Sequence, residues 1–195
     1  MKKIGLLLFT CLLAFIASAQ IKTTAPSVKP TIERVLTSYT YQFSDIKGER
    51  LGSDPGTIQF RSTLQSPGSV ENKVIGYTGK RTTYWVWESK ILATEDFEEL
   101  KRKYKAVYND INGGIIKTTT RRFVATAPYE SPSEEQRLWS NQFRINENQA
   151  PHSNIIIDLI AENIGFEWVI WLRVYDKERD ADMRPTQQII EEDQD

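Results

Sequence analysis

Residues 154–175, NIIIDLIAENIGFEWVIWLRVY, carry the strongest structural signal in this chain. Two β-rich runs, Asn154–Glu162 and Phe166–Tyr175, flank Asn163-Ile164-Gly165. Ile155, Ile157, Leu159 and Ala161 make one apolar set; Phe166, Trp168, Ile170, Leu172 and Val174 make the other. Side chains alternate faces along a strand, so the two sets share a face only if the loop holds an even number of residues. A four-residue loop from Glu162 to Gly165, with Ala161 opposite Phe166, meets that condition. A two-residue Asn163-Ile164 turn also meets it, but strains β-branched Ile164 at positive φ. The stretch predicts an antiparallel hairpin with one buried face.

The polar set of that hairpin supplies the first candidate chemistry. In this register Asp158, Glu162 and Glu167 point away from the core, with Asp158 and Glu162 both diagonal to Glu167. Carboxylates held close split their pKa values and can serve as acid and base. Carboxylate oxygens also suit calcium. A carboxylate-dependent hydrolase or a calcium-stabilised domain is therefore one reading.

Trp171, Arg173 and Tyr175 point the same outward way. Upstream, Thr82–Ile91 reads as another strand, rich in β-formers. There Trp85 and Trp87 share a face with Ile91 beside them, which makes them core. Tyr84, Val86 and Glu88 fall on the opposite face. A surface carrying Tyr, Trp and Arg has the composition of binding hot spots, and flat aromatics also stack on sugar rings. The candidate binding residues are thus Tyr84, Glu88, Trp171, Arg173 and Tyr175.

Further out, helical periodicity takes over. Ile32, Val35, Leu36, Tyr39, Phe43 and Ile46 recur every three or four residues, predicting a helix over Pro30–Lys47 that stops at Gly48. A second stripe runs through Phe97, Leu100, Tyr104, Val107, Tyr108 and Ile111. Thr94 is its expected N-cap, and acids in the first turn suit the helix dipole. Gly113-Gly114 is its expected left-handed stop. Ile58–Leu64 and Lys73–Tyr77 read as strands, as do Leu138–Ile145 and the β-prone Ile115–Thr126. The expected fold is α+β: an antiparallel sheet of five to six strands with two amphipathic helices packed on one face. The order is helix, three strands, helix, then about three strands, within a single domain over residues 30–175.

The ends read differently. Lys2-Lys3, an apolar run from Ile4 to Ile16 and Ala17-Ser18-Ala19 form a secretory signal over residues 1–19, resembling bacterial export signals. Cleavage is expected between Ala19 and Gln20, giving a periplasmic or secreted protein. The run is too short to span a membrane, which takes about 20 apolar residues. Bulky Phe9 and Thr10 before Cys11 argue against a lipoprotein. Residues 20–29 read as a flexible leader. Residues 176–195 hold 11 charged side chains in 20, a composition that favours disorder.

Composition narrows the function classes. The full chain has 195 residues, one histidine, one cysteine and a formal charge of −1. Losing Lys2 and Lys3 takes the charge to −3, which argues against nucleic acid as partner. The 176-residue mature chain has no cysteine, so packing rather than cross-links must stabilise it. Its 18 isoleucines against 8 leucines favour strands. No G-x-x-x-x-G-K-[ST], G-x-G-x-x-G or G-x-S-x-G occurs, so nucleotide loops and a hydrolase nucleophile elbow lack their signatures. His152, in a polar loop after Pro151, reads as a solvated side chain. Lys117, Arg121 and Arg122 with Lys80 and Arg81 read as solvated surface rather than an anion site. These points lead to a non-enzymatic binding domain of the cell envelope, with no metal site and no cofactor. Its expected partner is an envelope protein, a peptide or a glycan.

Overall fold

The computed structural model describes residues 26–80, 82–145 and 154–177. The signal segment with its cleavage site, residues 20–25 of the leader, Arg81, the loop holding His152 and the tail from Glu178 lie outside the described residues. The chain order is α1 (Lys29–Tyr39), β1 (Lys47–Gly52), β2 (Thr57–Ser62), β3 (Glu71–Thr78) and β4 (Thr83–Thr94). Then come α2 (Phe97–Ile111), β5 (Ile115–Lys117), β6 (Arg122–Thr126), β7 (Leu138–Ile145), β8 (Ile155–Ile164) and β9 (Glu167–Asp176).

Among the described residues, nine strands join one antiparallel sheet in the order β1-β2-β3-β4-β9-β8-β7-β6-β5. The expectation of five to six strands with two helices on one face is overturned. Two additions account for much of the difference. Ile115–Thr126 folds back on itself as a hairpin, pairing Ile115 with Val124 and Lys117 with Arg122. The segment after Tyr39 also leaves the helix early, which frees Lys47–Gly52 to pair with β2.

The early stop of α1 has a local cause. Thr37, Ser38, Tyr39 and Thr40 are poor helix formers whose hydroxyls compete for backbone and side-chain partners. Thr40 Oγ1 donates to the carbonyl of Thr37, and Ser38 Oγ donates to Asp45. Gln42 and Phe43 then take φ values of 54° and 59°, in the left-handed region. That reversal keeps Phe43 and Ile46 buried although they are no longer helical. The apolar spacing was thus satisfied by a turn rather than by further helix.

Helix α2 spans its predicted stripe, but Asp96, not Thr94, caps it. The Asp96 carboxylate accepts from the amides of Glu98 and Glu99. Thr94 sits two residues back, accepting from the Asp96 amide and donating to Glu99. Gly113 is left-handed at φ 67°, as its place after the helix requires. Near the helix end, Asp110 accepts from the amide of Val28 and the hydroxyl of Ser27, tying the start of α1 to α2.

One large core gathers residues of both helices with side chains of the sheet, and the side of the sheet that supplies them is here the inner face. Val35, Leu36, Leu100 and Tyr104 meet Trp87, Ile157, Leu159, Ile170, Leu172 and Val174 there. The central hairpin shows why alternation worked. Ile155, Ile157, Leu159 and Ala161 share the inner face with Ile170, Leu172 and Val174. The parity was right, but the register differs. The turn is Gly165-Phe166, with Ile164 opposite Glu167 and Ala161 opposite Ile170. Gly165 takes φ 69° at the first central position, the place a type II′ turn assigns to glycine. Pairing is therefore displaced by four residues from the expected Ala161–Phe166 register, and Phe166 projects at the tip, 93% exposed.

Candidate functional site

The opposite, outer face has its own order. Cross-strand register aligns Arg61 (β2), Lys73 (β3), Glu88 (β4), Arg173 (β9), Asp158 (β8) and Gln142 (β7) in one row. The next row carries Glu71, Lys90, Trp171, Ile160 and Ser140. Charged residues in a row survive burial only if they pair. Glu88 is 7% exposed and Asp158 5% exposed, and both have partners.

Arg173 Nε donates to Glu88 Oε2 at 2.5 Å. On its other side Arg173 lies opposite Asp158. Ser140 Oγ donates to Asp158 Oδ1, and the Tyr175 hydroxyl donates to Oδ2 at 3.3 Å. Gln142 Nε2 reaches the same Tyr175 hydroxyl at 3.5 Å. Burial pushes the Asp158 carboxyl above the usual carboxylate range, while these hydrogen bonds and the Arg173 charge oppose the shift. A cleft of about 510 Å³, lined in part by Ser140, Gln142, Arg144 and Glu130, flanks this end.

Trp171 forms the other half of the site. Lys90 Nζ lies 5.3 Å and Arg173 Cζ 5.7 Å from its ring centroid, so two cations flank one indole. Its Nε1 is buried with no hydrogen-bond partner among the described residues. An unsatisfied buried donor costs about 1–3 kcal/mol, so a tryptophan here is a poor choice on stability grounds alone.

The five predicted binding residues do share this face. Tyr84 and Glu88 come from β4, and Trp171, Arg173 and Tyr175 from β9. Tyr175 is not a free contact residue, being only 3% exposed and packed with Val86 and Ile156. The carboxylate trio is not brought together. Glu162 opposes Val169 and so sits diagonal to Glu167, but Asp158 opposes Arg173. Six residues of strand separate Arg173 from Glu167, about 20 Å at roughly 3.4 Å per residue. The four-residue register difference is the whole cause. Among the described residues no group of three or more His, Cys, Asp or Glu is arranged to hold a metal. The basic candidates are also divided: Lys117, Arg121 and Arg122 belong to the β5–β6 hairpin, and Lys80 follows β3. Strands β9, β8 and β7 lie between β4 and β6.

Lys90, Ser140 and Gln142 were missed. Alternation with Glu88 was enough to place Lys90 on the outer face. Ser140 and Gln142 needed the β7–β8 register, which no local pattern specifies. Among the described residues no helix is long and apolar enough to cross a membrane. No protein-family model matches the chain, and no curated protein and no solved structure matches it either.

Proposed function

We propose that this is an exported bacterial binding module of the cell envelope, working through the outer face without a cofactor or catalysis. The observation that carries this reading is Trp171, an aromatic ring held between Lys90 and Arg173 despite its orphaned indole N–H. Aromatic and arginine side chains around a rigid sheet are the elements that dominate binding energies. The partner is an envelope protein, a peptide or a glycan. The test is native mass spectrometry and affinity capture from the exported fraction of the host, with wild type and a Trp171→Ala variant. Wild type is expected to retain a partner that the variant loses at unchanged fold, judged by circular dichroism. Equal capture by both proteins contradicts the reading. Arg173 and Tyr175 are left intact, because their substitution would report on stability as well as contact.

A further inference from the structure

The outer face continues from Trp171 into a cleft of about 530 Å³ at the ends of β2, β3 and β4. Arg61, Gln65, Glu71, Asn72 and Lys90 line it. Lys90 belongs to both regions, because its ammonium faces the Trp171 ring.

The hydrogen-bonding capacity of this cleft is weighted towards donors. Ser62 Oγ already accepts from Trp87 Nε1 and donates to the Leu64 carbonyl. Asn72 Oδ1 already accepts from the Ser66 amide, and Asn72 Nδ2 donates one hydrogen to Ser69 Oγ. Glu71, the one acid lining the cleft, is held by Lys73 at 2.9 Å. Among what remains, donors outnumber acceptors: the second Asn72 N–H, the Gln65 amide N–H groups, the Arg61 guanidinium and the Lys90 ammonium, against Gln65 Oε1 and the second Glu71 oxygen. Arg61 meets Glu49 only at 3.8 Å, in an exposed pair of the kind that contributes little and leaves the guanidinium available. Lys90 makes no ion pair among the described residues. A polar cleft of this size with two available cations, amide donors and an aromatic ring beside it fits a ligand with anionic oxygens on a ring scaffold.

We infer that this cleft binds an acidic saccharide, with Arg61 and Lys90 taking the carboxylate or sulfate and Trp171 flanking the adjoining ring. The inference rests on the outer-face reading and adds the ligand class to it. Charge-assisted hydrogen bonds contribute about 1.5–3 kcal/mol, so each cation removed should weaken binding about tenfold or more.

The experiment is a glycan array probed with the mature protein, printed with neutral, uronic-acid, sialylated and sulfated saccharides. Calorimetry on the best acidic hit and its neutral methyl ester or desulfated form follows. Wild type is expected to bind acidic glycans alone, more weakly as salt rises. Arg61→Gln and Lys90→Gln are expected to lose about tenfold each with unchanged melting temperature. Binding of neutral and acidic forms alike, or no retained glycan, overturns the inference. So does full affinity in both glutamine variants. If Trp171→Ala then abolishes binding while the glutamine variants do not, the outer-face reading survives without the cleft. If none of these substitutions matters, both fall.

Discussion

The two faces of strands β4, β9 and β8 are buried by different means. On the inner face, Trp87, Val174 and Ile157 lie in register, all fully buried and apolar. One residue along, Glu88, Arg173 and Asp158 line up on the outer face, with both carboxylates nearly as buried. The inner face is held by packing, which is tolerant of detail and strong in sum. The outer face depends on each charge finding its partner, and a partly satisfied network is worse than none. A face with that cost, adjoining a tryptophan with an orphaned donor, is not accounted for by stability alone, and the proposed binding role rests on that.

The comparison predicts a ranked set of outcomes. The largest effect should come from the inner face. Leu172→Ala should cost about 2–5 kcal/mol in denaturant unfolding, the range for leucine truncation in a packed core. Next, Gly76→Ala should cost about 1–3 kcal/mol, because a Cβ there would lie 2.7 Å from the Trp85 ring and 2.9 Å from Ile58. Retained stability would mean that the β3–β4 sheet relaxes more freely than its packing implies.

Arg173→Met tests the outer face. It leaves Glu88 buried without its ion pair, and a loss of about 1–3 kcal/mol is expected. Glu88→Met added to it should recover much of that loss, a coupling that a double-mutant cycle measures. Additive losses would show that the pair is not what holds this face.

A smaller effect concerns pH. Asp158 has a folded pKa raised above its ordinary 3.8 by burial. The folded state therefore holds this proton to higher pH than the unfolded state, and the associated stability is lost as pH rises through that interval. Relative to Asp158→Asn, wild type should lose stability as pH is raised from about 3.8 to the folded value. Urea midpoints of both proteins between these limits would show it, and parallel curves would contradict the burial effect. Smallest of all, Trp171→Phe should leave stability unchanged or raise it by about 1 kcal/mol, since the orphaned N–H is gone. A clear destabilisation would assign Trp171 a structural role.

Much of this was legible because alternation is local. Ile155 through Ala161 and Ile170 through Val174 announce one buried face, and the same parity puts Glu88, Trp171 and Arg173 together outside. Register is not local. It turned on Gly165 taking the first central position of a two-residue turn, and that moved Asp158 from a carboxylate cluster to a place beside Arg173. The number of strands was missed for a related reason. Thr37–Thr40 weaken a helix that the Phe43 and Ile46 spacing continues, and the exposed Lys47–Gly52 edge has no apolar rhythm at all. Ser140 and Gln142 joined the site only through strand pairing, which composition does not encode.

The central claim is that the outer face is the contact surface. Hydroxyl-radical footprinting, comparing purified mature protein with the same protein in its native envelope fraction, tests it most directly. Oxidation of Trp171 and Tyr84 is expected to fall in the envelope fraction, while Phe166 and Tyr41, exposed elsewhere, stay unchanged. Unchanged Trp171 together with protection at Phe166 or Tyr41 would place the contact elsewhere and contradict the account.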